Sequence, residues 1–142
     1  METIRQLLNR KGAHIWSLSP DATVYEAVEL LSQRGIGALL VVDAGKVIGI
    51  VTERDYARKV ILMGRSSRDT KVEEIMATDI VHVHPDHSVQ ECMELMTEKR
   101  VRHLPVLEED KVLGIVSMGD LVKAIITEQR FFIRQLEQYI TG

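Results

Sequence analysis

Two four-residue runs carry the chemistry. Thr52-Glu53-Arg54-Asp55 and Ser117-Met118-Gly119-Asp120 each place a hydroxyl three residues before a carboxylate, directly after Gly-Ile-Val. On spacing alone this is a capping box, in which hydroxyl and carboxylate satisfy the first N–H groups of a helix. The same helix N-terminus carries partial positive charge and unpaired N–H groups, so it also suits an anion such as a phosphate. Spacing alone leaves both readings open.

The two runs are copies. Gly49 to Asp55 returns as Gly114 to Asp120 at an offset of 65 residues, which also relates Pro20-Asp21 to Pro85-Asp86 and Lys46-Val47 to Lys111-Val112. A fixed period of this size means a repeated supersecondary unit. The cations around the motifs differ between copies. Arg54, Arg58 and Lys59 stand in the first copy where Gly119, Lys123 and Ala124 stand in the second. Arg102-His103 precedes the second hairpin where the first has Gly37-Ala38. Two sites built on these motifs would not be equivalent.

The elements that must position the motifs follow from local pattern. Residues 1–10 carry Ile4, Leu7 and Leu8 at helical spacing and predict a lead-in helix. Residues 14–18 read as a short strand. Thr23 with Glu26, and Ser88 with Glu91, open amphipathic helices that bury Val24, Ala27, Val28 and Leu31, or Val89, Cys92, Met93 and Met96. Cys92 replaces Ala27 and reads as a small core residue. Apolar runs broken at Asp43-Ala44-Gly45 and near Lys111 predict two β-hairpins, each leading into a helix: Tyr56, Ala57, Val60 and Ile61 inward in the first, Leu121, Val122, Ile125 and Ile126 in the second. Residues 64–69 read as a linker, Thr70 to Glu73 as a capping box for a short helix, and 80–83 as a strand. From Asp120 to Thr141 there is no Gly or Pro, so the last helix runs on with an apolar stripe suited to a subunit contact or a wrap over the first repeat.

The domains predicted are therefore a helix at 1–10, a first repeat at 11–63, a linker and short helix at 64–75, a second repeat at 76–128 and a helical extension at 129–142. Each repeat is strand, helix, hairpin, helix, an α/β (α+β) unit too small to be stable alone, so the two are expected to pack pseudo-symmetrically. The 142 residues are 45% hydrophobic and 27% charged, an ordinary globular balance. A net charge of −3 gives no basic surface for nucleic acid. The single Cys92 excludes an internal disulfide, and no apolar run approaches membrane-span length. A cytoplasmic protein is expected. His82 and His84 share a strand face, but a metal site needs more ligands than this pair, and none is expected.

Two such units, each ending in Gly-h-h-[Ser/Thr]-x-x-Asp (h hydrophobic), resemble a tandem pair of cystathionine β-synthase (CBS) domains, the Bateman module. The resemblance covers about residues 11–126 and implies a stand-alone bacterial or archaeal regulatory module. It further implies that the pair binds AMP, ADP, ATP or NAD between the repeats, has no catalytic cofactor, associates as a flat homodimer and signals to a downstream protein partner. By the same resemblance Asp55 and Asp120 would accept hydrogen bonds from ribose hydroxyls, and Thr52 and Ser117 would face phosphate. Arg102 and His103, with Ala38 at the matching position of the first copy, would flank the phosphates, joined by Arg54, Arg58 and Lys59. Adenine would lie against Ile15 and Val51 in one cleft and Ile80 and Val116 in the other, with Gly12 and Thr78 at the entrances. The alternatives are an interaction module with vestigial clefts, or a small nucleotide-processing enzyme. No nucleophile–base pair or Gly-rich phosphate loop supports the enzyme.

Overall fold

A computed structural model of the chain describes residues 2–12 and 14–141. It divides into two compact units, 15–80 and 1–14 with 81–142.

In the unit 15–80, the three-stranded sheet runs β1 (Ser17–Leu18), β2 (Ala38–Asp43), β3 (Lys46–Thr52). β1 is parallel to β2, and β2 and β3 form the antiparallel hairpin. Ala44 and Gly45 turn the hairpin with φ of 50° and 78°, the left-handed pair that a two-residue turn demands. Helix α2 (Val24–Arg34) starts where the Thr23 hydroxyl accepts the Glu26 N–H and stops at Gly35, φ 62°. Its Val24, Ala27 and Leu31 pack on Leu39, Val41 and Val51 of the sheet, with Val60, Val72 and Ile75.

The other unit repeats this plan with β4 (His103–Glu108), β5 (Lys111–Ser117) and α4 (Val89–Lys99), capped by a reciprocal Ser88–Glu91 box. Its core joins Val89, Cys92 and Met96 to Leu104, Val106 and Val116. Ile4, Leu7 and Leu8 of helix α1 (Ile4–Lys11) complete it.

The lead-in segments are exchanged. Val89 N–H donates to the Glu2 carbonyl, Ile4 N–H to His87 and Arg5 N–H to Pro85. In the other unit Val24 N–H donates to Thr70, Val72 N–H to Ala22 and Glu73 N–H to Pro20. The chain ahead of each repeat therefore closes the core of the other repeat, through the same three-bond ladder.

Five expectations are corrected. The strand expected at 80–83 reduces to one bridge, Val83 with Val106. In the first copy the Leu40 N–H bonds the Trp16 carbonyl, and Pro105 stands 65 positions after Leu40 with no N–H to give. The first strand is likewise shorter than 14–18, only Ser17–Leu18 pairing. The short helix after the linker is a single 3₁₀ turn (Val72–Glu74), and its cap is Glu74, which takes the Lys71 N–H, while the Thr70 hydroxyl donates to the Ser66 carbonyl. After the first hairpin, α3 (Glu53–Tyr56) passes into a π-helical turn (Ala57–Ile61), with Leu62 N–H reaching the Ala57 carbonyl. The wider turn rotates Ile61 into solvent, Ala57 is exposed as well, and Val60 stays buried in the core with Tyr56 packed against it. Helix α5 (Met118–Thr141) has no such break, but of the four residues expected inward only Leu121 is buried, and Val122 and Ile126 are exposed. Among the described residues no helix is long and apolar enough to cross a membrane.

Candidate functional site

Both motifs sit where a hairpin strand hands over to a helix, and both close as capping boxes. In the first, Asp55 N–H donates to Thr52 Oγ1 at 3.2 Å, and the Thr52 N–H and hydroxyl donate to Asp55 Oδ2 at 2.9 and 3.1 Å. Glu53 N–H donates to the Gly37 carbonyl, so the start of the helix is tied to the residue before the hairpin. Lys59 lies one turn on, its Nζ 3.5 Å from Asp55 Oδ1 and 2.8 Å from the Ile75 carbonyl.

The second motif has the same frame and a different cation. Ser117 N–H donates to Asp120 Oδ2 at 2.8 Å, Asp120 N–H donates to Ser117 Oγ at 3.1 Å, and Met118 N–H bonds the Arg102 carbonyl. Lys11 of α1 donates to Asp120 Oδ2 at 2.6 Å and to the Ile115 carbonyl at 3.1 Å. Burial of Asp120 would raise its pKa, but the Lys11 ammonium and the Ser117 N–H outweigh it and hold the carboxyl below its ordinary value.

A carboxylate offers about four lone-pair sites, and the caps occupy Oδ2 of each aspartate. Capping thus fixes the orientation of Asp55 and Asp120 and leaves Oδ1 able to accept from a ligand. Side-chain exposures of 17% and 28% keep both within reach of solvent.

The hairpin register brings further expected residues to the motifs. His103 pairs directly with Ser117, and Ala38 with Thr52, on one face of each hairpin. Arg102 is exposed beside His103. Gly12, φ 91°, ends α1 next to Lys11. Arg54 and Arg58 are exposed on the turns after Thr52, Thr78 and Ile15 are exposed, and Ile80 is half-buried.

Val51 and Val116 do not fit the part given them. They are 1% and 0% exposed and belong to the two cores, because strand alternation turns them toward the helices. Ile50 and Ile115, their neighbours on the opposite strand face, lie outside both clusters, Ile115 half-buried and Ile50 itself 8% exposed. Ala38, 4% exposed, offers no side chain to a ligand.

Lys11 is the residue that sequence reasoning missed. It stands 109 positions from Asp120, and only the exchange of α1 into the second core brings the two together. Its local signal was slight, a lysine next to a helix-ending glycine.

The family model described as the CBS domain matches residues 4–61 and 72–127. The mitochondrial CBS domain-containing protein CBSX3 of Arabidopsis thaliana is 43% identical over 136 residues, 92% of this chain and 66% of that protein, so the chain spans just under two thirds of that relative. A solved CBS-domain protein from Burkholderia ambifaria is 52% identical, with a TM-score of 0.86 over 89% of this chain and 96% of that one. The CBS domain pair of MJ0100, solved with 5′-methylthioadenosine and S-adenosyl-L-methionine, shares the fold at 24% identity, with a TM-score of 0.80 over 90% of this chain and 98% of that one. The chain belongs to the CBS-domain family, as a tandem pair.

Proposed function

We propose that this CBS pair is a regulatory sensor of adenine nucleotides (AMP, ADP, ATP or NAD(H)) that acts as a homodimer and reports occupancy to a protein partner by a change of shape or assembly. The observation that carries the reading is the pair of partly exposed aspartates, each held by its own cap through Oδ2. A carboxylate so fixed suits two vicinal ribose hydroxyls, each charge-assisted bond contributing roughly 1.5–3 kcal/mol. Thr52 or Ser117 lies on the phosphate side, with Lys59, Arg54 and Arg58 in the first copy and Arg102 and His103 in the second. The adenosine-containing ligands held by MJ0100 support this class of ligand on the same fold. In the second copy the base would rest on the half-buried Ile115 rather than on Val116.

Thermal unfolding with each nucleotide tests the reading. A ligand at a hundred times its Kd stabilises the folded state by about 2.7 kcal/mol. A raised Tm with at least one adenine nucleotide and none with the matching free base is expected. An unchanged Tm with all of them would sink the sensor and favour the closed caps as structure alone, in an interaction module with vestigial clefts.

A further inference from the structure

Helix α5 keeps only Leu121 and Ala124 buried across its 24 residues. Most of its other apolar residues, Phe131 apart, form a pattern around the polar Gln129. Val122, Ile125, Gln129, Phe132, Leu136 and Tyr139 alternate three- and four-residue steps, and Ile126, Ile133 and Ile140 flank them every seventh residue. A strict heptad keeps one stripe facing a second helix along its whole length, so the surface matches a helix rather than a flat patch. Seven of these apolar residues are 39–88% exposed. They leave on the order of 700 Å² of apolar surface in water, close to the ~800 Å² per partner of a standard interface.

We propose that this face docks α5 of a second copy of the chain, the two helices running antiparallel. The pairing sets Ile125 against the partner's Leu136, Gln129 against the partner's Phe132, and Val122 against the partner's Tyr139, each contact occurring twice about a two-fold axis. An open groove of about 910 Å³ between Gln90 of α4 and residues 125–133 of α5, including Ile125, Gln129, Phe131 and Phe132, lies along this face and receives the partner's Leu136. The edges decide the direction. Antiparallel, Ile126 meets the partner's Ile133 on one edge, and Glu128 meets the amide of the partner's Gln135 on the other. Parallel, Glu128 would lie against the partner's Ile133 twice, burying a carboxylate on an aliphatic surface.

The pairing rests on the dimer reading above, and its test separates the two. Sedimentation equilibrium of the full chain is expected to give a dimer. Phe132→Glu with Leu136→Glu is expected to weaken it by at least about 100-fold with the circular dichroism spectrum retained, while Arg134→Glu, on the outer face, leaves it intact. Under mild oxidation Ile125→Cys with Leu136→Cys is expected to form an intermolecular disulfide, and Val122→Cys alone, about 25 Å from its own copy in the antiparallel pairing, none. A dimer that survives the double glutamate variant would overturn the pairing and keep the dimer. Cross-linking by Val122→Cys alone would overturn the antiparallel direction. A monomeric native protein, including one that sediments with phosphatidylglycerol vesicles through α5, would overturn both readings.

Discussion

Lys11 Nζ lies 2.6 Å from Asp120 Oδ2, joining the end of the first helix to the start of the last. The matching aspartate, Asp55, meets Lys59 of its own helix at 3.5 Å. One carboxylate is thus coupled to a distant segment and the other to its own helix.

Lys11→Met is expected to raise the pKa of Asp120, read by NMR titration. The folded pKa is depressed, so the stabilisation is present above the unfolded aspartate pKa and is lost as pH falls through the lower folded value. With both side chains about a third exposed, the loss at neutral pH is expected at no more than about 1 kcal/mol. An Asp120 pKa unchanged by the substitution would show that the ion pair does not hold in solution.

Gly49 has no room for a side chain. A Cβ there would stand 2.4 Å from Met76 Sδ and 3.1 Å from the Ala77 carbonyl oxygen. Gly49→Val is expected to destabilise the protein by about 1–3 kcal/mol in urea unfolding, through forced displacement of packed atoms. Met76→Ala in the same chain should recover part of the loss. Full stability of Gly49→Val would contradict the close approach.

Cys92 is fully buried, and burial, with the Glu91 carboxylate beside it, pushes its thiol up to about 11. Because the thiolate is the reactive form, the native protein is expected to resist a disulfide reagent at neutral pH and to react fully once unfolded in urea. Rapid labelling of folded protein would place Cys92 nearer the surface than the core allows.

Much of this was legible. The 65-residue offset, the caps at Thr23 and Ser88, the hairpins and the capped aspartates follow from local spacing, and local spacing settles them. The rest depended on tertiary choices. Whether Ile4 and Leu7 cover the first core or the second is not encoded in their own periodicity. The missing strand before His84 turned on one absent N–H at Pro105, far along the chain. Val51 and Val116 were misplaced because an apolar strand read as apolar on both faces gives no sign of which face meets the core. Lys11 escaped notice for the same reason as the exchange that carries it.

Pro105→Leu tests the account of that missing strand. Its new N–H is expected to bond the Val81 carbonyl and to exchange slowly with solvent, as the Leu40 amide should in the first copy. Rapid exchange at position 105 would mean that something other than proline prevents the pairing.

Isothermal titration of the native protein, Asp55→Asn and Asp120→Asn with AMP, ADP, ATP, NAD and NADH addresses the central claim most directly. Asparagine keeps an acceptor for the Thr52 or Ser117 N–H, so the cap is retained, while the charge met by ribose, and by Lys59 or Lys11, is lost. Binding of at least one nucleotide, weakened about tenfold or more by one of the two substitutions, is expected from a loss of roughly 1.5–3 kcal/mol per charge-assisted bond. Binding untouched by both substitutions, or no binding to nucleotide-free native protein, would contradict the assignment of these aspartates as the ribose-reading residues.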